Sequence, residues 1–142
     1  EVGDLNTTRN AIGSAGTSAT AALGFAGYQP GGHAVTTELW NGTSWTEVGD
    51  LNTGRHLPGG AGTSTAALAF GGFTPSTDNN RVELWNGTGW AEQNDLSTAR
   101  GGLAGGGTTT AALAAGGDTG SASAATEEWS SPVETNETIT TS

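Results

Sequence analysis

The chain has 142 residues, with 14 acidic side chains against 4 basic ones, a formal charge of −10, and no cysteine. That balance leaves nothing to neutralise a row of phosphates, which argues against nucleic acid, and it excludes disulfides, thiolate metal sites and thiol nucleophiles. Only twenty residues are Ile, Leu, Val or Phe while 25 are glycine, so order must come from small side chains on closely approaching backbones, with 5 Trp supplying bulk.

Read in chain order, residues 1–8 have the form of an outer strand and turn that lacks its three preceding strands. The nonapeptide EVGDLNTTR at 1–9 returns as EVGDLNTGR at 47–55 and as EQNDLSTAR at 92–100. TAAL recurs at 20–23, 65–68 and 110–113, and ELWNGTxW at 38–45 and 83–90. A fixed period of about 45 residues identifies a repeat array, divided here at 9–54, 55–99 and 100–142. Within the second copy, a glycine-rich inner strand is expected over Leu57–Thr63 and an apolar strand over Thr65–Phe70, ending at Gly71 and Gly72. Arg81–Trp85 alternates, with Val82 and Leu84 on one side, as a half-buried strand does. Asn86 and Gly87 are expected to supply the positive φ angles of a tight hairpin before a last strand from Trp90 to about Asp95. No segment carries a 3.6-residue apolar stripe, so the fold class is all-β, a row of three four-stranded antiparallel repeats. In the third copy Ser130, Ser131 and Pro132 replace the turn and the second Trp, and the tail after them reads as a terminal strand or a capping edge.

This set of residues resembles the Kelch repeat, which implies a β-propeller. Gly71-Gly72 and Gly116-Gly117 match its glycine pair, with Ala26-Gly27 a degenerate copy; Trp40, Trp85 and Trp129 match its third-strand aromatic; Trp45 and Trp90 match its fourth-strand Trp; and Arg9, Arg55 and Arg100 match its Arg. The wording WNGTSWTE and DLNT is similar to repeat proteins of marine bacteriophages and aquatic bacteria, which implies a virion or tail-fibre component. Propellers hold four to eight blades, so the resemblance implies either that copies of the chain associate, two giving six blades, or that other blades lie in a longer polypeptide. The outer strand at 1–5 would then complete another subunit's edge or continue from an earlier blade.

Chemistry at the repeated positions is expected to be architectural. His33 and His56 occupy different repeat positions, and no nucleophile motif stands out, so enzyme activity is not expected. Enzymes of the galactose-oxidase kind share the blade pattern, but this chain lacks the Cys that their copper chemistry needs. Asp4, Asp50 and Asp95 are expected to pair with Arg9, Arg55 and Arg100 at the inter-blade turns, Glu38, Glu83 and Glu127 to be structural, and the Trp series to fill blade cores. No cofactor and no metal are expected; Ca²⁺ is the alternative to the structural reading of Asp4, Asp50 and Asp95, and Asp78, Asn79 and Asn80 form a weaker Ca²⁺ candidate. Of four glycosylation sequons, at Asn6, Asn41, Asn86 and Asn136, two fall in tight turns that have a backbone reason of their own.

Function is expected where the copies differ, in the loop between the second and third strands of each: Tyr28–Val35, Phe73–Asn80 and Asp118–Ala124. Tyr28, His33, Phe73, Asp78, Asn79 and Asp118 are the candidate binding residues, on the face shared with the inter-blade turns. The expectation is a structural or receptor-binding part of a virion or extracellular assembly, with virion proteins or cell-surface glycan as partners and no membrane insertion. The alternative is a carbohydrate-binding module of a secreted bacterial protein.

Overall fold

Glycine sets the spacing of this molecule. In the computed structural model, which describes residues 2–131, thirteen strands and no helix run through those residues. The first unit is a sheet of β1 (Gly13–Ser18), β2 (Ala21–Phe25), β5 (Thr37–Trp40) and β6 (Trp45–Val48), with the short hairpin β3 (Tyr28–Gln29) and β4 (Gly32–His33) in its loop. The second repeats it with β7 (Gly59–Gly62), β8 (Ala67–Phe70), β9 (Val82–Trp85) and β10 (Trp90–Glu92). The third has β11 (Ala104–Gly107), β12 (Ala111–Ala115) and β13 (Thr126–Ser130). All pairings are antiparallel.

The innermost strands β1, β7 and β11 lie side by side. They approach so closely that a Cβ on Gly60 would sit 2.2 Å from the Ser14 carbonyl oxygen, and one on Gly105 2.4 Å from that of Gly60. Only glycine fits such a contact between backbones. Within a unit the same economy appears across the ladder. Gly13 pairs with Phe25 and Gly59 with Phe70, each ring lying over the glycine, whereas in the third unit both members of the pair, Ala104 and Ala115, are alanine.

Two apolar layers hold the units together. Leu23 and Phe25 of the first unit pack against Ala67, Ala69, Trp85 and Trp90 of the second. On the other side of the second sheet, Leu68, Phe70 and Val82 meet Ala112, Ala114, Leu103 and Trp129 of the third. Each side chain of the size of Leu68 or Phe70, both fully buried, contributes about 1.5–3 kcal/mol. Trp90 also crosses the first boundary, its ring 5.1 Å from Phe25 and its indole N–H donating to Thr37 Oγ1 at 3.0 Å.

The repeated ions form one motif. Glu38, on β5, accepts from the Arg9 guanidinium at 3.0 Å and from the backbone N–H of Asn6 at 2.7 Å. Glu83 does the same with Arg55 at 3.0 Å and Asn52 at 2.8 Å, and Glu127 pairs with Arg100 at 3.4 Å. Each guanidinium also donates to backbone carbonyls of its own unit. Thus the acidic partners of Arg9, Arg55 and Arg100 are Glu38, Glu83 and Glu127, not Asp4, Asp50 and Asp95, which are exposed. The Asp side chains point to water from the links, whereas Glu on a third strand reaches a buried cation.

Three further expectations change. Residues 2–5 form no strand; the segment instead sets Gly3 against the turn at Thr43 and Ser44. The Asn-Gly turns are four-residue loops between paired tryptophans, Trp40 with Trp45 and Trp85 with Trp90. Only Gly42 and Gly87 take positive φ there, and Asn41 and Asn86 act through Oδ1, each accepting two backbone N–H groups at 2.9–3.0 Å. Finally β9 is buried on both sides, because Glu83 and Trp85 face Arg55 and the first unit. The expected tail after Pro132 and the Asn136 sequon lie outside the described residues.

Candidate functional site

The residue after each repeated Arg differs between units: Asn10, His56 and Gly101. Each exchanges two backbone hydrogen bonds with the first residue of its unit's variable loop. Asn10 does so with Tyr28 (3.0 and 2.8 Å), His56 with Phe73 (3.0 and 2.9 Å) and Gly101 with Asp118 (3.1 and 2.8 Å). Loops and inter-unit links therefore form one face. Successive links are stitched together as well, since Leu57 N–H donates to the Ala11 carbonyl at 2.7 Å and Gly102 N–H to the Leu57 carbonyl at 2.9 Å.

On this face the first two loops converge through their rings. Tyr28 pairs with His33 across the β3–β4 hairpin, and its ring meets those of His33 at 5.4 Å and His56 at 5.8 Å, both edge-on. The two imidazoles stack nearly parallel at 4.8 Å and 6°, and His56 continues to Phe73 at 5.3 Å. Phe73 in turn covers Gly101, where a Cβ would lie 2.3 Å from its ring. Loss of solvent, and then the neighbouring His56, hold the His33 imidazole below its ordinary pKa, so it is neutral at pH 7. Each imidazole has its Nδ1 buried without a hydrogen-bond partner.

Tyr28, His33 and Phe73 are thus brought together in one run of rings, which the side chains of the other candidates do not join. Asp78 bridges back to Phe73 within the loop. Asn79 is buried, its Oδ1 accepting from the Arg81 N–H at 2.8 Å and its backbone N–H donating to the Gly72 carbonyl at 2.8 Å. Asp118 Oδ1 accepts from the Gly120 N–H at 2.7 Å. These three shape turns, and among the described residues no group of three or more His, Asp and Glu is placed to hold a metal ion. His56 is the member that the sequence pattern did not single out. It sits at a position that differs in every copy, which is the signal that marked the loops.

Two open grooves flank Tyr28. One, of about 790 Å³, is bounded by Gly31, His33, Asn52, Thr53, Thr74 and Pro75; the other, of about 470 Å³, by Thr8, Asn10, Gln29, Pro30 and Gly31, with Arg9 at its base. Among the described residues no carboxylate lines either. A third cavity, about 400 Å³, opens between the inner strands and is walled by backbone and small residues such as Ser14, Gly60 and Gly106. The tryptophans of the repeat line none of these three, for Trp40, Trp85, Trp90 and Trp129 are buried and Trp45 is half-buried against Trp40; Trp129 instead borders a fourth cavity, of about 370 Å³, with Leu113 and Glu128.

No family model and no curated protein sequence matches this chain. Among solved structures, one described as the structure of YjhT is similar over 92% of this chain, with a TM-score of 0.79 and 12% identity. The chain spans 45% of that structure's length. The likeness is one of fold: antiparallel β-sheets in the same arrangement.

Proposed function

We propose that the three units are Kelch-like blades of a β-propeller and that the chain is a non-enzymatic display or receptor-binding part of a virion or extracellular surface assembly. One observation carries this reading. Side chains that recur in every unit are spent on architecture, whereas those that change between units, Tyr28, His33, His56 and Phe73, gather on one face. A constant frame with a diversified face suits recognition. The strongly acidic composition keeps such a surface from adhering to anionic cell envelopes indiscriminately. Antibody quantification of the chain in purified particles and envelope fractions tests it. A fixed copy number per particle or envelope unit is expected, and recovery solely as free soluble protein would overturn it.

Further units are expected to cover the outer faces of the first and third sheets, either from a second copy, giving six blades, or from a longer polypeptide. Each is the counterpart of a face used at an internal boundary, the first sheet's keeping Trp40 and Trp45 and the third's carrying Thr126 and Glu128 where the second unit has Val82 and Leu84. Light scattering of the 142-residue chain across a wide concentration range separates the cases, a discrete dimer favouring self-closure.

A second reading, a carbohydrate-binding module of a secreted bacterial protein, is favoured by the exposure of Tyr28 between two neutral grooves.

A further inference from the structure

We infer that Tyr28 is the stacking platform of a glycan-binding site whose ligand is an uncharged pyranose, with neighbouring sugars running into the grooves on either side. The inference rests on the loop face being the recognition surface, and it adds the place and the ligand chemistry.

Tyr28 is 48% exposed, whereas Phe25, Phe70 and Trp85 are at most 1% exposed. A ring left in water serves no core. Nor is it loose, since its backbone is bonded to Asn10 on one side and paired with His33 on the other, and two imidazoles abut the ring. A tyrosine held in this way loses little conformational freedom on binding, which makes it an effective anchor. Among the described residues no other ring lies parallel over it. The apolar C–H face of a pyranose is the kind of surface that stacks on an aromatic ring, while its hydroxyls require amides, hydroxyls and backbone groups around the rim. Asn10, Gln29, Thr8, Thr53 and Thr74 supply these, and Tyr28 borders both grooves at once.

The absence of charge selects the ligand class. Although the chain carries −10 overall, no carboxylate among the described residues lines either groove, so a cationic ligand finds no partner in these linings. Arg9, the one cation among the described residues lining the grooves, donates through both terminal nitrogens to Glu38 and to the Thr36 and Gly24 carbonyls, and its side chain is buried, so no exposed cation faces an anionic sugar there.

The test is a glycan array followed by titration of the full chain with its best neutral oligosaccharides, for the native protein, Tyr28→Ala and Tyr28→Trp. Binding is expected to weaken at least tenfold in Tyr28→Ala and to persist in Tyr28→Trp. Because Tyr28 is the single tyrosine, its ring resonances give a second readout that needs no variant: they should shift on titration with the sugar. Failure to bind any neutral glycan, binding with unmoved Tyr28 resonances, undiminished affinity in a folded Tyr28→Ala, or preference for sialylated or sulfated glycans would each overturn the assignment. A fixed copy number in particles that survives Tyr28→Ala, with no glycan bound, would remove this inference and leave the display reading standing.

Discussion

At the scale of single residues, the buried Arg–Glu pairs and the histidine stack make different demands on the fold. Arg55 and Glu83 both have fully buried side chains, and burial pulls the Arg55 pKa below its usual value while Glu83 opposes the shift. Removing the carboxylate leaves a desolvated cation, so Glu83→Gln should cost about 3–5 kcal/mol in chemical denaturation. Glu92→Gln breaks the pair with Arg81 at half-exposed side chains and should cost less than about 1 kcal/mol. Equal costs would mean that the buried pair is not what holds the link to the sheet. The arginines were legible in the sequence, but their partners were not, because an Asp recurs five residues before each while the Glu that pairs with it stands 27–29 residues on, and only the fold brings that Glu to the guanidinium. His33 behaves in the opposite way to a salt-bridged group. Its folded-state pKa is depressed, so the unfolded chain takes up its proton first as pH falls, and stability present above about pH 6.5 is lost between that value and the lower folded one. The denaturation midpoint should therefore fall between pH 7.5 and 5.5, and less steeply in His33→Gln. Identical slopes in the two proteins would show that His33 does not contribute to the pH dependence of stability.

At the scale of elements, the inner strands are defined by what they exclude. The Cβ that Gly60→Ala would add lies 2.2 Å from a backbone oxygen of β1, which cannot swing aside as a side chain can. Overpacking of this kind typically costs about 1–3 kcal/mol, and the same is expected of Gly105→Ala. Gly106, in the same strand as Gly105, has nothing within 4 Å of the place an added methyl would take and no positive φ, so Gly106→Ala should change stability by less than about 0.5 kcal/mol. Comparing thermal unfolding of Gly105→Ala and Gly106→Ala isolates the approach between units from any general loss of glycine; matched values would refute it. The repeat period made these strands and their order readable in advance, with ends that shorten by one to three residues in the structure, as from Leu57–Thr63 to Gly59–Gly62. The hairpin geometry was less readable. An Asn-Gly pair is compatible with two turn lengths, and the register of the flanking tryptophans, set by packing against the neighbouring sheet, selects the longer.

At the scale of the whole molecule, the two terminal faces are unlike. The upstream face of the first sheet keeps the apolar residues of the repeat, with Trp40 buried, Trp45 half-buried and Ile12 close to Gly24. The downstream face of the third sheet has lost them: Ala115 stands where the second unit has Phe70, Thr126 where it has Val82, and Glu128 where it has Leu84. Leu113 alone remains, 48% exposed where its counterparts Leu23 and Leu68 are fully buried. Charges at a sheet surface discourage indiscriminate stacking, and Glu128 is placed to do this on the downstream face of the third sheet. This asymmetry was written in the sequence, but it acquires meaning only once the strand register shows which residues share a face. If Glu128 weakens association through that face, Glu128→Leu should restore the apolar surface used at the internal boundaries. The apparent mass in sedimentation should then rise at lower protein concentration than for the native chain, and Glu92→Leu, on β10 rather than on this face, should serve as a control that does not shift it. An unchanged association profile in Glu128→Leu would assign assembly to other surfaces, and would leave the apolar upstream face of the first sheet as the one on which contact between copies depends.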